Sequence, residues 1–113
     1  MGNLQVVEQT KRIVVLTFSD RLDAFNAPNA RAEIDGLLAD GAVNFVVDLT
    51  EVSFMDSAGV AVMVNLLKRS RQAGGDVRLV RPSNETAMRI LRLTRFDQVF
   101  AMFATAGEAV NAF

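Results

Sequence analysis

The sequence predicts an α/β domain: a mixed, mostly parallel sheet of four or five strands with about four packed helices. Three observations carry this. Short runs of β-branched and large apolar residues alternate with stretches of helical periodicity, the signature of strands joined through helices. Phe45-Val46-Val47 is apolar without interruption, as in strands covered on both faces. The 113 residues, half of them hydrophobic, suit one globular domain over residues 1–113.

The elements follow in order. Leu4–Val7 and Ile13–Phe18 read as strands, with Glu8-Gln9-Thr10-Lys11 as a hairpin-like connection. Ala30, Ile34, Leu37 and Leu38 recur at helical spacing after the start signal Asn26-Ala27-Pro28, and that helix ends near Asp40-Gly41. Phe45–Val47 is a third strand, stopped by Asp48. Val52–Met55 follows, and a second helix begins at Ala58 with Ser57 as its N-cap. Val60, Met63, Val64 and Leu67 line its inner stripe, and Ala73-Gly74-Gly75 terminates it. Val77–Val80 is a strand, and Pro82-Ser83 opens a third helix with Ala87, Ile90 and Leu91 inward. Val99–Phe103 reads as a last strand and Ala106–Phe113 as a terminal helix, giving the order β-β-α-β-α-β-α-β-α. Phe113 either docks that helix or frays.

Composition excludes several function classes. Twelve basic against 13 acidic residues give a net charge of −1, which argues against a nucleic-acid binder held by bulk charge. Arginines crowd between Arg69 and Arg95, and Arg89 and Arg92 share a helix face, but no aromatic residues interleave with them; a solvated face is the simpler reading. With no Cys and no His there is no thiol nucleophile, no Ser-His-Asp triad and no Cys- or His-ligated metal. The sequence contains no Gly-Lys-Ser/Thr phosphate loop and no Gly-x-Gly-x-x-Gly. A Ser57–Lys68 dyad would have to span roughly 16 Å of helix. A phospho-aspartate receiver built on Asp48 lacks a suitably placed lysine, since the chain has only Lys11 and Lys68. The start Met1-Gly2-Asn3-Leu4-Gln5 is not built like a signal peptide, and the apolar run Ala58–Val64 is too short to cross a bilayer. These features lead us to expect a cytoplasmic, non-enzymatic protein with no cofactor, no metal and no membrane insertion.

Candidate chemistry lies at the carboxyl ends of the strands, where α/β sheets place their sites. Asp20 and Asp23 follow the second strand, Asp48 ends the third, and Asp56-Ser57 leads into the second helix. Asp and Ser are also ordinary caps and turn formers. As an N-cap, Ser57 would hold its hydroxyl beside free backbone N–H groups at the positive end of the helix dipole, where a phosphate finds donors. Gly59 would leave room for that group, while Asp23, Asp48 and Asp56 would oppose its charge. Such a site suits a reversible charge change.

The run from Phe45 to Val60, FVVDLTEVSFMDSAGV, resembles the signature of STAS domains. It is most similar to the bacterial anti-anti-sigma factors, or anti-sigma factor antagonists. The matching features are Asp48 after the strand and Asp56-Ser57-Ala58-Gly59 at the mouth of a helix. Arg21-Leu22-Asp23 and the Gly-Gly turn before Val77 match as well, so the resemblance spans essentially the whole chain. It implies a partner switch. Ser57 matches the serine phosphorylated by a cognate anti-sigma factor, a serine kinase that holds the ATP. The unphosphorylated form binds that factor and frees the sigma factor, and a metal-dependent serine phosphatase resets the system. By position, Asp23 and Asp56 flank the acceptor, Asp48 supports the same mouth, and Ala58 and Gly59 complete it. The alternative within the fold is an unphosphorylated adaptor in a signalling scaffold or a lipid or anion transporter. Two departures stand out: Asp20 and Arg95 replace residues that are often Gly in relatives. A positive φ at Arg95 would make that replacement a strained one.

Overall fold

The computed structural model describes residues 3–8 and 12–113. In chain order these form β1 (Leu4–Glu8), β2 (Ile13–Leu22), α1 (Ala27–Ala39), β3 (Asn44–Met55), α2 (Ser57–Gln72), β4 (Asp76–Val80), α3 (Glu85–Leu93), α4 (Phe96–Val99), β5 (Ala101–Phe103) and α5 (Ala106–Asn111). The five strands make one sheet in the order β1-β2-β3-β4-β5. β1 pairs antiparallel to β2 and every other pairing is parallel. The predicted mixed sheet is therefore present. The connection Gln9–Lys11 lies outside the described residues.

Strand alternation sorts the core into two layers. Val14, Leu16, Phe18, Phe45, Val47, Val77 and Leu79 point to one face, where they meet Ala30 and Ile34 of α1, Met63 and Leu66 of α2, and Leu91 of α3. Ile13, Val15, Val46 and Val80 point to the other, under Ala109 of α5. This two-sided cover is why Phe45–Val47 is continuously apolar. Met55 and Met63 are buried in the larger layer. Phe113 docks: the Arg78 guanidinium lies 3.8 Å from its ring centroid.

The second strand runs past Phe18 to Leu22, so Asp20 lies within β2 and only Asp23 follows it. Four further boundaries differ from expectation. Asp48 does not end β3, which runs on to Met55. The Asp48 carboxylate satisfies the strand locally by accepting from the Thr50 amide at 3.0 Å and the Thr50 hydroxyl at 2.6 Å. The pairing with β2 then slips twice: Thr17 faces Asp48 but Ser19 faces Glu51, and Asp20 faces Val52 but Arg21 faces Phe54. Each slip places one extra residue in β3, a β-bulge. Buried positions consequently fall at Leu49, Val52 and Met55, three apart rather than two. Secondly, Ser57 is the first residue of α2 and Asp56 is its N-cap. Thirdly, α3 is capped by Asn84, whose side chain accepts from Thr86 and Ala87, rather than opened by Pro82-Ser83. Lastly, β5 begins at Ala101 rather than Val99, because Phe96–Val99 forms a helical turn, with Phe96 edge-on to Phe100 at 6.4 Å.

Candidate functional site

The site forms where β2 and β3 finish side by side. Leu22 and Met55, their last residues, are register partners. Both strands then turn outward, β2 into the loop Asp23–Asn26 and β3 into α2. The two exits come so close that a Cβ on Gly59 would sit 1.9 Å from the Leu22 carbonyl oxygen. Gly59 is thus a glycine for backbone contact between helix and strand, not to leave room for a ligand.

Asp56 stitches the exits together. Its Oδ1 accepts from the Gly59 amide at 3.0 Å, the N-cap bond. Its Oδ2 accepts from the Ala24 amide at 3.0 Å, across the gap to the loop. These amides, Gly59 foremost, hold the Asp56 carboxyl below the usual carboxylate range, against opposition from burial and the Asp23 charge.

Asp23 is a buried carboxylate, 5% exposed, and folds the loop around itself. Its Oδ2 accepts from Arg21 Nε at 2.7 Å, and its Oδ1 from the Phe25 amide at 3.0 Å and the Asn26 amide at 3.4 Å. Asn26 reciprocates: its Oδ1 accepts from the Asp23 amide at 2.9 Å, and its Nδ2 donates to the Arg21 carbonyl at 2.6 Å. The Arg21 hydrogen bond is the main reason the Asp23 carboxyl also lies below its ordinary range. Arg21 in turn sits 5.0 Å from the Phe54 ring centroid.

With Asp56 acting as the cap, Ser57 is released from that duty. It is exposed, and its hydroxyl makes no hydrogen bond among the described residues. Ala58 behind it is half-buried. The predicted residues are thus partly assembled. Asp23, Asp56, Ser57, Ala58 and Gly59 meet at one mouth. Asp48 does not: it pairs with Thr17, and the five steps of β2 from Thr17 to Leu22 put it about 16 Å from the mouth. Its carboxylate serves Thr50 instead. Sequence reasoning missed the Ala24 amide, Phe25 and the loop-holding role of Asn26. A short Asp-x-x-Asn spacing was the available signal for the loop.

The mouth of this α/β domain therefore joins an exposed serine hydroxyl at the start of a central helix to two carboxylates already engaged as hydrogen-bond acceptors. Comparison with known proteins gives the family. The STAS domain model matches residues 5–109, and the chain belongs to that family. A Thermotoga maritima protein assigned as an anti-sigma factor antagonist is 32% identical over 100 residues, 88% of each chain. A crystal structure of a Thermotoga maritima protein with the same assignment superposes with a TM-score of 0.88 at 29% identity, covering 96% of this chain and 92% of that one. The Bacillus anti-sigma factor antagonist SpoIIAA, in its unphosphorylated form, gives a TM-score of 0.79 at 25% identity over 96% of each chain. Among the described residues no helix is long and apolar enough to cross a membrane.

Proposed function

We propose that this chain is an anti-sigma factor antagonist switched by phosphorylation of Ser57. In its unphosphorylated form it binds an anti-sigma factor that is itself a serine kinase, and the sigma factor is released. The kinase supplies the ATP, since this chain has no phosphate-binding loop. A metal-dependent phosphatase restores the binding form. The chain itself is not an enzyme and works in the cytoplasm, where transcription factors are exchanged.

One observation carries this reading: the hydroxyl of Ser57 is exposed and unbonded while Asp56 performs the capping. The structural reason for a serine at the helix mouth is thereby removed, and an acceptor oxygen faces solvent. The names of the relatives support the partner class, and SpoIIAA has been solved in both phosphorylated and unphosphorylated forms.

The mechanism is electrostatic. Phosphorylation transfers the γ-phosphoryl group of ATP to Ser57 Oγ, releases ADP and loses the hydroxyl proton. It adds about −1.5 to −2 charge. The Gly59 amide is already taken by Asp56, so the new charge gains little from the helix terminus and stands beside a carboxylate. Like-charge juxtaposition across an interface costs several kcal/mol, and each ~1.4 kcal/mol is tenfold in affinity. One phosphate therefore suffices to release the partner.

The test is intact mass of the protein from its native host, beside a Ser57→Ala control, followed by titration of the kinase partner. A single phosphate on wild type that is absent from the variant is expected, with Ser57→Asp binding far more weakly than Ser57→Ala. Equal affinities for the two variants would remove the mechanism.

A further inference from the structure

The loop Asp23–Asn26 presents an aromatic ring whose exposure its own structure does not explain. Phe25 is 92% exposed, the most exposed large apolar side chain among the described residues. An apolar ring in water contributes nothing to the core. Yet its backbone is fixed from all sides: the Phe25 amide donates to Asp23, the Ala24 amide to Asp56 and the Asn26 amide to Asp23. A buried carboxylate is spent on aiming an exposed phenylalanine. Such preorganisation lowers the ordering cost of binding.

The surroundings indicate what the ring meets. The bond from Ala24 to Asp56 makes the Phe25 loop continuous with the Ser57 mouth. Two positions before Leu22 on β2 is the exposed Asp20, and the Asp56 carboxylate borders the loop from the other side through the Ala24 amide. The cation on that rim, Arg21, is committed to Asp23. The patch is therefore one apolar knob with an acidic margin. Its complement is an apolar pocket edged by lysine or arginine.

We infer that Phe25 is the anchor residue of the partner interface, inserting into an apolar, cation-rimmed pocket of the same anti-sigma kinase that reaches Ser57. This rests on the proposed function and adds the recognition chemistry to it. The ring supplies affinity and the phosphate controls it. Phe25 thereby also sets which kinase is accepted, because a partner lacking the pocket meets a rigid projection.

The experiment is a titration of the purified kinase partner, nucleotide-loaded, with the wild-type chain, Phe25→Ala, Phe25→Leu and Ser57→Asp, each also melted thermally. Phe25→Ala is expected to bind about tenfold or more weakly, as for an anchoring aromatic, with an unchanged melting temperature. Phe25→Leu is expected to retain most of the affinity, and rising salt to weaken binding of the wild type. If Phe25→Ala binds like wild type while Ser57→Asp does not bind, the anchor is overturned and the phosphoswitch stands. A kinase that fails to bind even the wild type overturns both.

Discussion

The Asp56 carboxylate accepts the Ala24 amide at 3.0 Å, joining the start of α2 to the loop after β2. The same carboxylate caps the helix through Gly59. One side chain therefore fixes both halves of the mouth. Asp56→Ala removes both bonds, and loss of an N-cap costs about 1 kcal/mol. For a domain of this size that lowers the melting temperature by about 4 °C. Asp56→Asn keeps an acceptor for Gly59 and should melt closer to wild type. Calorimetry of the two variants separates capping from charge; equal loss in both would assign the effect to charge alone.

Acid should loosen this region first. Asp23 and Asp56 both titrate below their ordinary values, through the Arg21 hydrogen bond and the Gly59 amide respectively. In the unfolded chain both return to about 3.9. A depressed folded value means that the unfolded state binds more protons in that range, so stability rises with pH. The contribution is complete above the unfolded value and disappears as pH falls through the two folded values. Urea melts from about pH 6 downward should show midpoints falling below about pH 4, with a shallower fall in Asp56→Asn. A slope unaltered by that substitution would contradict the assignment.

Two helical glycines should respond in opposite directions. Gly59→Ala drives a Cβ to within 1.9 Å of the Leu22 carbonyl, and backbone cannot step aside as a flexible side chain can. Such overpacking costs about 1–3 kcal/mol. Gly36 lies inside α1, with nothing within 4 Å of the position an alanine methyl would take. Gly36→Ala should stabilise by about 0.4–1 kcal/mol through the unfolded chain and helix propensity. Chemical denaturation of both tests the pair; destabilisation by Gly36→Ala would show a contact that the geometry does not contain.

Arg95 adopts φ 63° and Asp20 φ 67°, both in the left-handed region. These are the two positions at which the family resemblance led us to expect Gly. At Arg95 the suspected strain is real. At Asp20 the sequence suggested only an added charge, whereas the residue sits at a register slip and its carbonyl accepts from the Ser53 hydroxyl at 2.9 Å. Arg95→Gly should stabilise by about 1 kcal/mol. Asp20→Gly should gain less, because Asp tolerates this conformation better than Arg. Guanidinium midpoints that fall for Arg95→Gly would show that side-chain contacts of Arg95 outweigh the strain.

What the sequence made legible follows physical range. Phe45–Val47, the α2 stripe and the turn at Gly41 depend on neighbours along the chain, and all appear. The continuation of β3 past Asp48 was hidden because two bulges change the burial spacing from two to three, erasing the alternation that marks a strand. The Ser57 cap was displaced by one residue because Asp and Ser are almost equal N-caps. The contact of Gly59 with Leu22, and of Ala24 with Asp56, joins residues more than 30 positions apart, which no local pattern reports. Phe25 has the composition of a core residue, and only the fold turns it outward.

The phosphate on Ser57 would sit between two opposing influences, and the geometry decides which prevails. The helix terminus favours the dianion through its amides and dipole. The carboxylates disfavour it. Asp56 holds the Gly59 amide and stays ionised, because its carboxyl lies below the usual range, and Asp23 is ionised for the same kind of reason. The carboxylates therefore dominate, and the second ionisation of phosphoserine 57 should occur above its ordinary value of about 6. Asp56→Asn removes the nearest negative charge and should bring the value back down. Phosphorus NMR titration of the phosphorylated wild type and variant reads this directly, and added salt should shrink the difference between them. A wild-type value at or below that of free phosphoserine would mean that the helix terminus prevails. Release of the partner would then have to come from steric exclusion at the mouth instead of accumulated charge.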